Sequence, residues 1–115
     1  MNGEAPYLVV QVSAGDSEAA WAIAQTSVAR KLAACAQVFP IRSCYEWEGK
    51  VVQDDEYLVL LKTRAEAYDR LAACIRELHR YEVPEVIALP IVRGSDSYLR
   101  WVDEVVGGGE PQSQP

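Results

Sequence analysis

The chain has 115 residues, of which 50% are hydrophobic and 24% charged, a composition typical of one soluble globular domain. A domain of this size buries roughly two-thirds of its unfolded surface, so a core can form without disulfides or a metal. We therefore expect no required cofactor. The 17 acidic and 11 basic residues give a net charge of -6, which disfavours nucleic acid and anionic membranes as partners and favours cations.

Short segments of the sequence bear on location and redox state. The longest apolar runs, such as residues 86–92, fall far short of the roughly 18 residues that a membrane-spanning helix needs. Residues 1–6 contain Glu4 and no basic residue, so we expect neither a secretory signal nor a transit peptide, and hence a cytoplasmic location. The spacing of Cys35, Cys44 and Cys74 matches no zinc motif and no disulfide framework, which predicts reduced thiols.

The first third of the chain predicts a strand, a helix and a second strand. Residues 7–12 are β-branched and aromatic, and Asp16 or Ser17 is a candidate helix N-cap. Residues 18–34 repeat apolar side chains at spacings of three and four, which predicts a helix. Residues 35–48 alternate as in a strand. The predicted helix has an apolar face of Trp21, Ala24, Val28 and Leu32, with Arg30 and Lys31 in its final turns.

A hairpin is predicted at Glu48-Gly49, between the second strand and a third strand over residues 50–63. Gly49 can take the positive φ that a two-residue turn needs. Counting outward from this turn fixes the register of the hairpin. It pairs Trp47 with Lys50, Tyr45 with Val52, and Arg42 with Asp55.

The second half of the chain predicts a helix, a strand and a short final helix. Residues 65–79 place Tyr68, Leu71, Ile75 and Leu78 on one face, with Cys74 beside them. Residues 86–93 form the fourth predicted strand, and residues 98–106 form a helix that ends at Gly107. Residues 107–115 contain only Gly, Glu, Pro, Gln and Ser, so we expect a disordered tail. Residues 1–6 are likewise expected to be disordered, which leaves one domain over residues 7–106.

This order of elements predicts an α+β fold of the ferredoxin-like βαββαβ type. Its antiparallel sheet carries two helices on one face, and a short C-terminal helix is added. Pro40 and Pro90 interrupt strands two and four, and since proline cannot donate to a strand ladder, both strands should lie at sheet edges. Exposed edges, one of them carrying Tyr45 and Trp47, favour self-assembly into a closed cyclic oligomer.

Two motifs resemble one known family. They are Tyr45-Glu46-Trp47-Glu48-Gly49-Lys50 and His79-Arg80-Tyr81-Glu82-Val83-Pro84-Glu85, supported by Leu32-Ala33-Ala34-Cys35-Ala36 and Leu61-Lys62-Thr63. Residues 7–106 resemble the CutA-type divalent-cation tolerance proteins. The resemblance implies a ferredoxin-like fold, a homotrimer that shares edge strands, likeness to PII nitrogen-signalling proteins, and binding of copper or other divalent cations. Val12 stands where some members carry a cysteine implicated in copper binding, and Arg80 stands where a proline often follows the motif histidine.

The candidate metal ligands are His79, Glu82 and Glu85. His79 is the only histidine, and imidazole is a common ligand of copper and zinc. The two carboxylates could add oxygen ligands or orient the imidazole ring. The structural alternative is that His79 stabilises a helix C-terminus and that the carboxylates are solvated loop charges. One histidine cannot complete the usual four-ligand shell, and a trimer could bring ligands from neighbouring chains.

A second group of side chains could line a cleft. It comprises Cys35, Tyr45, Trp47, Lys62, Tyr81 and Trp101. Aromatic side chains are common in small-molecule sites and also at subunit contacts, and the second role is favoured for Trp47. Lys62 ends a buried strand, so we expect it to reach solvent or to pair with Glu82 or Glu85. Cys74 is expected in the core, and Cys44 is expected to be exposed.

The sequence contains no nucleophile elbow, no glycine-rich phosphate loop and no serine with an evident histidine partner, so we do not expect an enzyme. Three hypotheses remain. The first is a trimeric protein that binds copper-like divalent cations between subunits. The second is a PII-like module that binds an anionic metabolite through Lys62 and contacts a partner protein. The third is an interaction scaffold without a ligand.

Overall fold

The computed structural model describes residues 5–106. Of the disorder expected for residues 1–6 and 107–115, the parts at residues 1–4 and 107–115 lie outside this range, as does the helix end expected at Gly107, whereas the Pro6 carbonyl accepts a hydrogen bond from the Ala65 N–H at 2.8 Å. The expected α+β fold is confirmed. The elements are β1 (Tyr7–Ala14), α1 (Ser17–Ala29), β2 (Cys35–Trp47), β3 (Lys50–Arg64), a 3₁₀ turn (Ala65–Ala67), α2 (Tyr68–Leu78), β4 (Val86–Pro90) and α3 (Asp96–Val106). Among the helices of residues 5–106, none has the length and hydrophobicity of a membrane span.

The four strands form one sheet in the order β2-β3-β1-β4, and every neighbouring pair is antiparallel. β3 lies between β1 and β2, as the ferredoxin-like arrangement requires. β2 and β4 are the edge strands, as their prolines predict. Pro40 lies inside β2 opposite Tyr57. β4 ends at Pro90 and is three residues shorter than predicted.

The β2–β3 hairpin has the predicted register. Trp47 pairs with Lys50, Tyr45 with Val52, and Arg42 with Asp55. Glu48 and Gly49 have φ angles of 53° and 82°, and two positive φ angles are the mark of a type I′ turn, whose twist matches that of the strands. The Arg42 and Asp55 side chains form an exposed ion pair of 3.2 Å.

The predicted extent of α1 is wrong, and its predicted apolar face is right at Ala24 and Val28, which face the core, but wrong at Trp21. The helix ends at Ala29, and Lys31 takes a φ of 61°. The Leu32 and Lys31 N–H groups donate to the carbonyls of Ser27 and Val28, which is the Schellman pattern of a helix end. Glycine commonly marks that end, and lysine does not signal it. The buried residues are Ala20, Ile23, Ala24 and Ser27, so Trp21 lies beside this face and is 47% exposed.

One face of the sheet is covered by α1 and α2, and the other face is not covered by a helix in the described range. The main core joins β1 and β3 to both helices and includes Val12, Leu61, Ile23 and Leu71. Cys74 lies in this core, as expected. Because side chains alternate along a strand, the residues between the buried ones point to the other face, which we call the open sheet face. It carries Val9, Phe39, Leu58, Leu60, Ile87 and Leu89, set among polar residues.

α3 packs at the end of the sheet where β1 begins. Val102 and Val106 form a small second core with Ala34 and Ala67. The Tyr7 hydroxyl donates to the Asp103 carboxylate at 2.9 Å, and Arg64 pairs with Asp103 as well. α3 begins two residues earlier than predicted, because the Ser95 hydroxyl accepts a hydrogen bond from the Tyr98 N–H and starts the helix.

Candidate functional site

A groove of about 500 Å³ lies between the hairpin and the loop that connects α2 to β4. β1 pairs with β3 only from Tyr57 onward, so residues 41–56 extend past β1 as a two-stranded arm. Residues 79–85, which we call the loop, lie beside this arm. Tyr45, Trp47 and Glu56 of the arm and Tyr81, Glu82 and Glu85 of the loop line the groove. The structure thus brings five of the sequence-predicted site residues together.

His79 fixes the start of the loop through both of its ring nitrogens. Nε2 lies 2.6 Å from the Ser13 carbonyl oxygen and donates to it, while Nδ1 accepts the Tyr81 N–H at 3.1 Å. The Tyr81 ring packs against the imidazole with 4.8 Å between centroids. A metal ion can therefore bind His79 only after one of these hydrogen bonds is broken.

Tyr81 joins the loop to the arm. Its hydroxyl donates to Glu56 Oε2 at 2.6 Å. Burial, and then the hydrogen bond and negative charge of Glu56, raise the pKa of Tyr81 above its ordinary value, so the phenol stays protonated and keeps donating. A Cβ at Gly15 would come within 3.1 Å of this hydroxyl. Neither Glu56 nor Gly15 was expected at the site, because Glu56 directly follows Asp54 and Asp55 and the sequence does not distinguish it from them.

The remaining acidic side chains of the groove differ in their partners. Tyr45 donates its hydroxyl to Asp54, and this hydrogen bond raises the pKa of Tyr45 to about 12. Glu85 accepts a hydrogen bond from Gln11 at 2.8 Å, and Glu82 is exposed. Within residues 5–106 no three His, Cys, Asp or Glu side chains are grouped so that they could hold one metal ion. A metal site that includes these residues would need further ligands beyond those grouped within residues 5–106.

Cys35, Lys62 and Trp101 lie away from the groove. Cys35 pairs with Lys62 in the sheet register, opposite the start of β1, and Trp101 packs against Tyr98 on α3 at 5.6 Å. The Lys62 ammonium donates to Gln37 in an exposed hydrogen bond, so of the two expected alternatives the pairing with Glu82 or Glu85 is wrong. The reason is distance along the sheet, because Lys62 faces Val9 while the loop contacts Ser13, four residues or roughly 13 Å further along β1. Cys44 is exposed, as expected.

The model of the CutA1 divalent ion tolerance protein family matches residues 8–105. The chain belongs to this family. It is similar to the solved structure of the divalent cation tolerance protein CutA1 from Thermus thermophilus, with 41% identity and a TM-score of 0.85 over 88% of this chain and 99% of that one. It is similar to the periplasmic divalent cation tolerance protein CutA from Archaeoglobus fulgidus, with 36% identity and a TM-score of 0.85 over 87% and 98% of the two chains.

The relatives differ in length. The chloroplastic CutA protein of Arabidopsis thaliana is 48% identical over 98 residues, which are 84% of this chain and 54% of that protein. This chain therefore spans about half the length of the plant relative. The divalent-cation tolerance protein CutA of Thermus thermophilus is 42% identical over 100 residues, which are 86% of this chain and 97% of that protein.

Proposed function

We propose that the protein is a self-assembling member of the CutA family, a homotrimer that binds divalent cations where subunits meet. The observation that most supports this proposal is the open sheet face. Phe39, Ile87 and Leu89 on it are 39–46% exposed, and the strands at both edges lack a partner on their outer sides within residues 5–106. An apolar face next to two unpaired edges is a surface that assembly covers.

A second copy of this chain is the partner that fits best. Two-stranded hairpins are marginally stable alone, and the arm of residues 41–56 extends past β1 without a third strand in the described chain. A neighbouring copy would support the arm, pair with the edge strands and cover the apolar side chains. The resemblance to the family implies three copies in a closed ring, an arrangement that leaves no edge free.

Cation binding is supported by charge and by the family. The chain carries a net charge of -6, which raises the local concentration of cations. Glu82 and Glu85 supply carboxylate ligands in the groove, and since one chain groups too few donors over residues 5–106, a neighbouring copy completes the proposed site. Copper(II) should bind most tightly among divalent first-row metals at such a site.

Light scattering on the purified protein tests the assembly. We expect a mass three times the 12.7 kDa of one chain. Leu89→Lys puts a charge into the open sheet face and should dissociate the oligomer. Trp21→Lys is the matched control, because Trp21 is equally exposed but lies on α1. A wild-type monomer at micromolar concentration would contradict the proposal.

Calorimetric titration with copper(II), zinc(II) and manganese(II) tests the cation site. Replacing both Glu82 and Glu85 by Gln should weaken copper binding at least about tenfold, as loss of metal ligands does. Replacing the exposed Glu18 and Glu104, on α1 and α3, is the control with the same change of charge. Unchanged copper affinity in the groove variant would exclude this site.

The role of His79 can be tested separately. Because it is the only histidine, imidazole nitrogen couplings in the electron paramagnetic resonance spectrum of the copper(II) protein can come only from His79. Such couplings, with at least about tenfold weaker binding in His79→Ala, would identify it as a ligand. Copper binding without these couplings would leave His79 as the residue that positions the loop.

The alternative is a PII-like module that binds an anionic ligand, and the described charges give it less support. Lys62 lies on the open sheet face, but it is hydrogen-bonded to Gln37, and the groove is lined by carboxylates. Titration with a panel of nucleotides separates the two functions. We propose a binding role and no catalytic one, in a cytoplasmic protein. Cell fractionation tests the location, since relatives are described as chloroplastic and periplasmic.

A further inference from the structure

We propose that the groove between the arm and the loop binds a small organic ammonium ion that carries apolar groups. Three aromatic side chains, Tyr45, Trp47 and Tyr81, line this groove. The faces of aromatic rings attract cations, and ammonium groups are held in proteins by several rings arranged around them. The volume of about 500 Å³ falls within the roughly 300–1,000 Å³ that is usual for small-molecule sites.

A buried carboxylate lies beside these aromatic side chains and can pair with a cationic ligand. Glu56 lines the groove and is only 5% exposed. Its Oε2 accepts the hydroxyl of Tyr81 at 2.6 Å, and its Oε1 has no hydrogen-bond partner among the described residues. A carboxylate that is largely shielded from water gains from being paired with a cation. An ammonium ion in the groove supplies that pairing.

The chemistry of the lining selects the kind of cation. Glu82 and Glu85 add negative charge, and the lining residues include neither Lys nor Arg, so an anion is disfavoured. The Tyr81 and Tyr45 hydroxyls are already engaged with Glu56 and Asp54, so they are not free to act as phenolate ligands of a metal. The aromatic side chains also favour a ligand with apolar groups, because these groups are removed from water when they pack against the rings. A hydrated metal ion has no such groups. An ammonium ion with apolar groups satisfies both the walls and the carboxylate.

Calorimetric titration with benzyltrimethylammonium tests the proposal, with benzyl alcohol as the uncharged comparison. We expect the cation to bind at least about tenfold more tightly than the alcohol, because only the cation gains from the rings and from Glu56. Equal affinities, or no binding of the cation, would overturn the proposal. A lysine side chain of another protein also carries an ammonium group on an apolar stem. Nα-acetyl-lysine methylamide, whose side-chain ammonium is free, is therefore titrated in parallel. Binding of the lysine derivative alone would overturn the assignment to a free ligand.

Two substitutions with matched controls locate the site. Glu56→Gln keeps an acceptor for the Tyr81 hydroxyl but removes the charge, and it should weaken binding of benzyltrimethylammonium at least about tenfold. Trp47→Leu should weaken it at least about threefold. Glu18→Gln and Trp21→Leu, both exposed on α1, should leave it unchanged. If Glu56→Gln and Trp47→Leu unfold at the wild-type temperature and bind as the wild type does, the site is elsewhere.

The proposal does not depend on divalent-cation binding. A protein that fails to bind copper can still bind the ammonium ion, because Glu56 and the three rings are not the proposed copper ligands. Conversely, replacing Glu82 and Glu85 by Gln should affect copper much more than benzyltrimethylammonium. Titrating this one variant with copper(II) and with benzyltrimethylammonium therefore shows which of the two proposals fails.

Discussion

Tyr81 is the residue that connects the groove to the rest of the molecule. The His79 imidazole packs against its ring, Glu56 accepts its hydroxyl hydrogen bond, and Gly15 lies close to that hydroxyl. These contacts come from three separate parts of the chain, so Tyr81 cannot move without breaking one of them. The position of the loop beside the arm follows from this one side chain.

Gly15→Ala should destabilise the protein by about 1 kcal/mol, because a new Cβ overpacks against a held hydroxyl. The added Cβ would lie 3.1 Å from Tyr81 Oη, and the hydrogen bond to Glu56 keeps that oxygen from moving away. Urea denaturation measures the change. In a Tyr81→Phe background the oxygen is absent, so the same substitution should become neutral or slightly stabilising through the entropy of the unfolded chain. An equal cost in both backgrounds would show that Tyr81 is not the obstacle.

Tyr45 should make stability depend on alkaline pH. Its hydrogen bond to Asp54 raises its pKa to about 12, above the value of about 10 for an unfolded tyrosine. The neutral phenol is thus favoured in the folded state, and this stability is fully present below pH 10 and is lost as the pH rises towards 12. Tyr45→Phe should lose less stability than the wild type between these pH values. Absorbance of tyrosinate should show one high-pH titration fewer in the variant.

The sequence predicted part of the groove lining, but it did not predict the hydrogen bonds that hold the groove together. The two motifs identified Tyr45, Trp47, Tyr81, Glu82 and Glu85, because they sit on the hairpin and on the loop. The motifs could not show that both nitrogens of the single histidine are used within the chain, since Ser13 lies 66 residues earlier. Such long-range contacts depend on the strand register and on the path of the loop.

Among the elements, α1 and the hairpin show where local patterns succeed and fail. The hairpin register could be predicted, because a two-residue turn at Glu48-Gly49 fixes which residues of the two strands lie opposite each other. The end of α1 could not, because Lys31 adopts a positive φ of 61° that its side chain does not favour. Ala24 was placed correctly on the buried face, but Ala20 and Ile23 occupy the part of that face to which the larger Trp21 was assigned.

Gly49→Ala should loosen the outer end of the arm. Gly49 has a φ of 82°, and an added Cβ would meet no atom within 4 Å, so the cost is that of backbone strain, about 1 kcal/mol. Amide hydrogen exchange at Tyr45 and Val52 should speed up about fivefold, which is what this energy gives for a local opening. Glu48→Asn at the neighbouring positive φ should slow exchange, because Asn-Gly is the preferred pair for this turn. Exchange unchanged by both substitutions would mean that the turn does not limit opening.

At the scale of the whole molecule, charge opposes the proposed assembly while the open sheet face favours it. Each chain carries a net charge of -6, so three chains repel one another at low salt. Raising sodium chloride from 0.01 M to 0.15 M shortens the screening length from about 30 Å to about 8 Å. We expect the oligomer to resist dilution better at the higher salt, as measured by light scattering. Weaker assembly at the higher salt would instead show that ion pairs between subunits dominate the interface.

The hydrogen bond between Tyr7 and Asp103 indicates where a tag or a support can be attached without blocking the groove. It brings the beginning of β1 and the last turn of α3 together, while the groove lies at the other end of β1, beside Ser13. The strand separates these two places by roughly 3.3 Å per residue, or about 20 Å. A fluorescent protein, an affinity tag or a solid support joined before residue 5 or after residue 106 would therefore start from the side remote from the groove. An attachment at residue 5 or at residue 106 should thus leave the groove accessible in ligand-binding measurements.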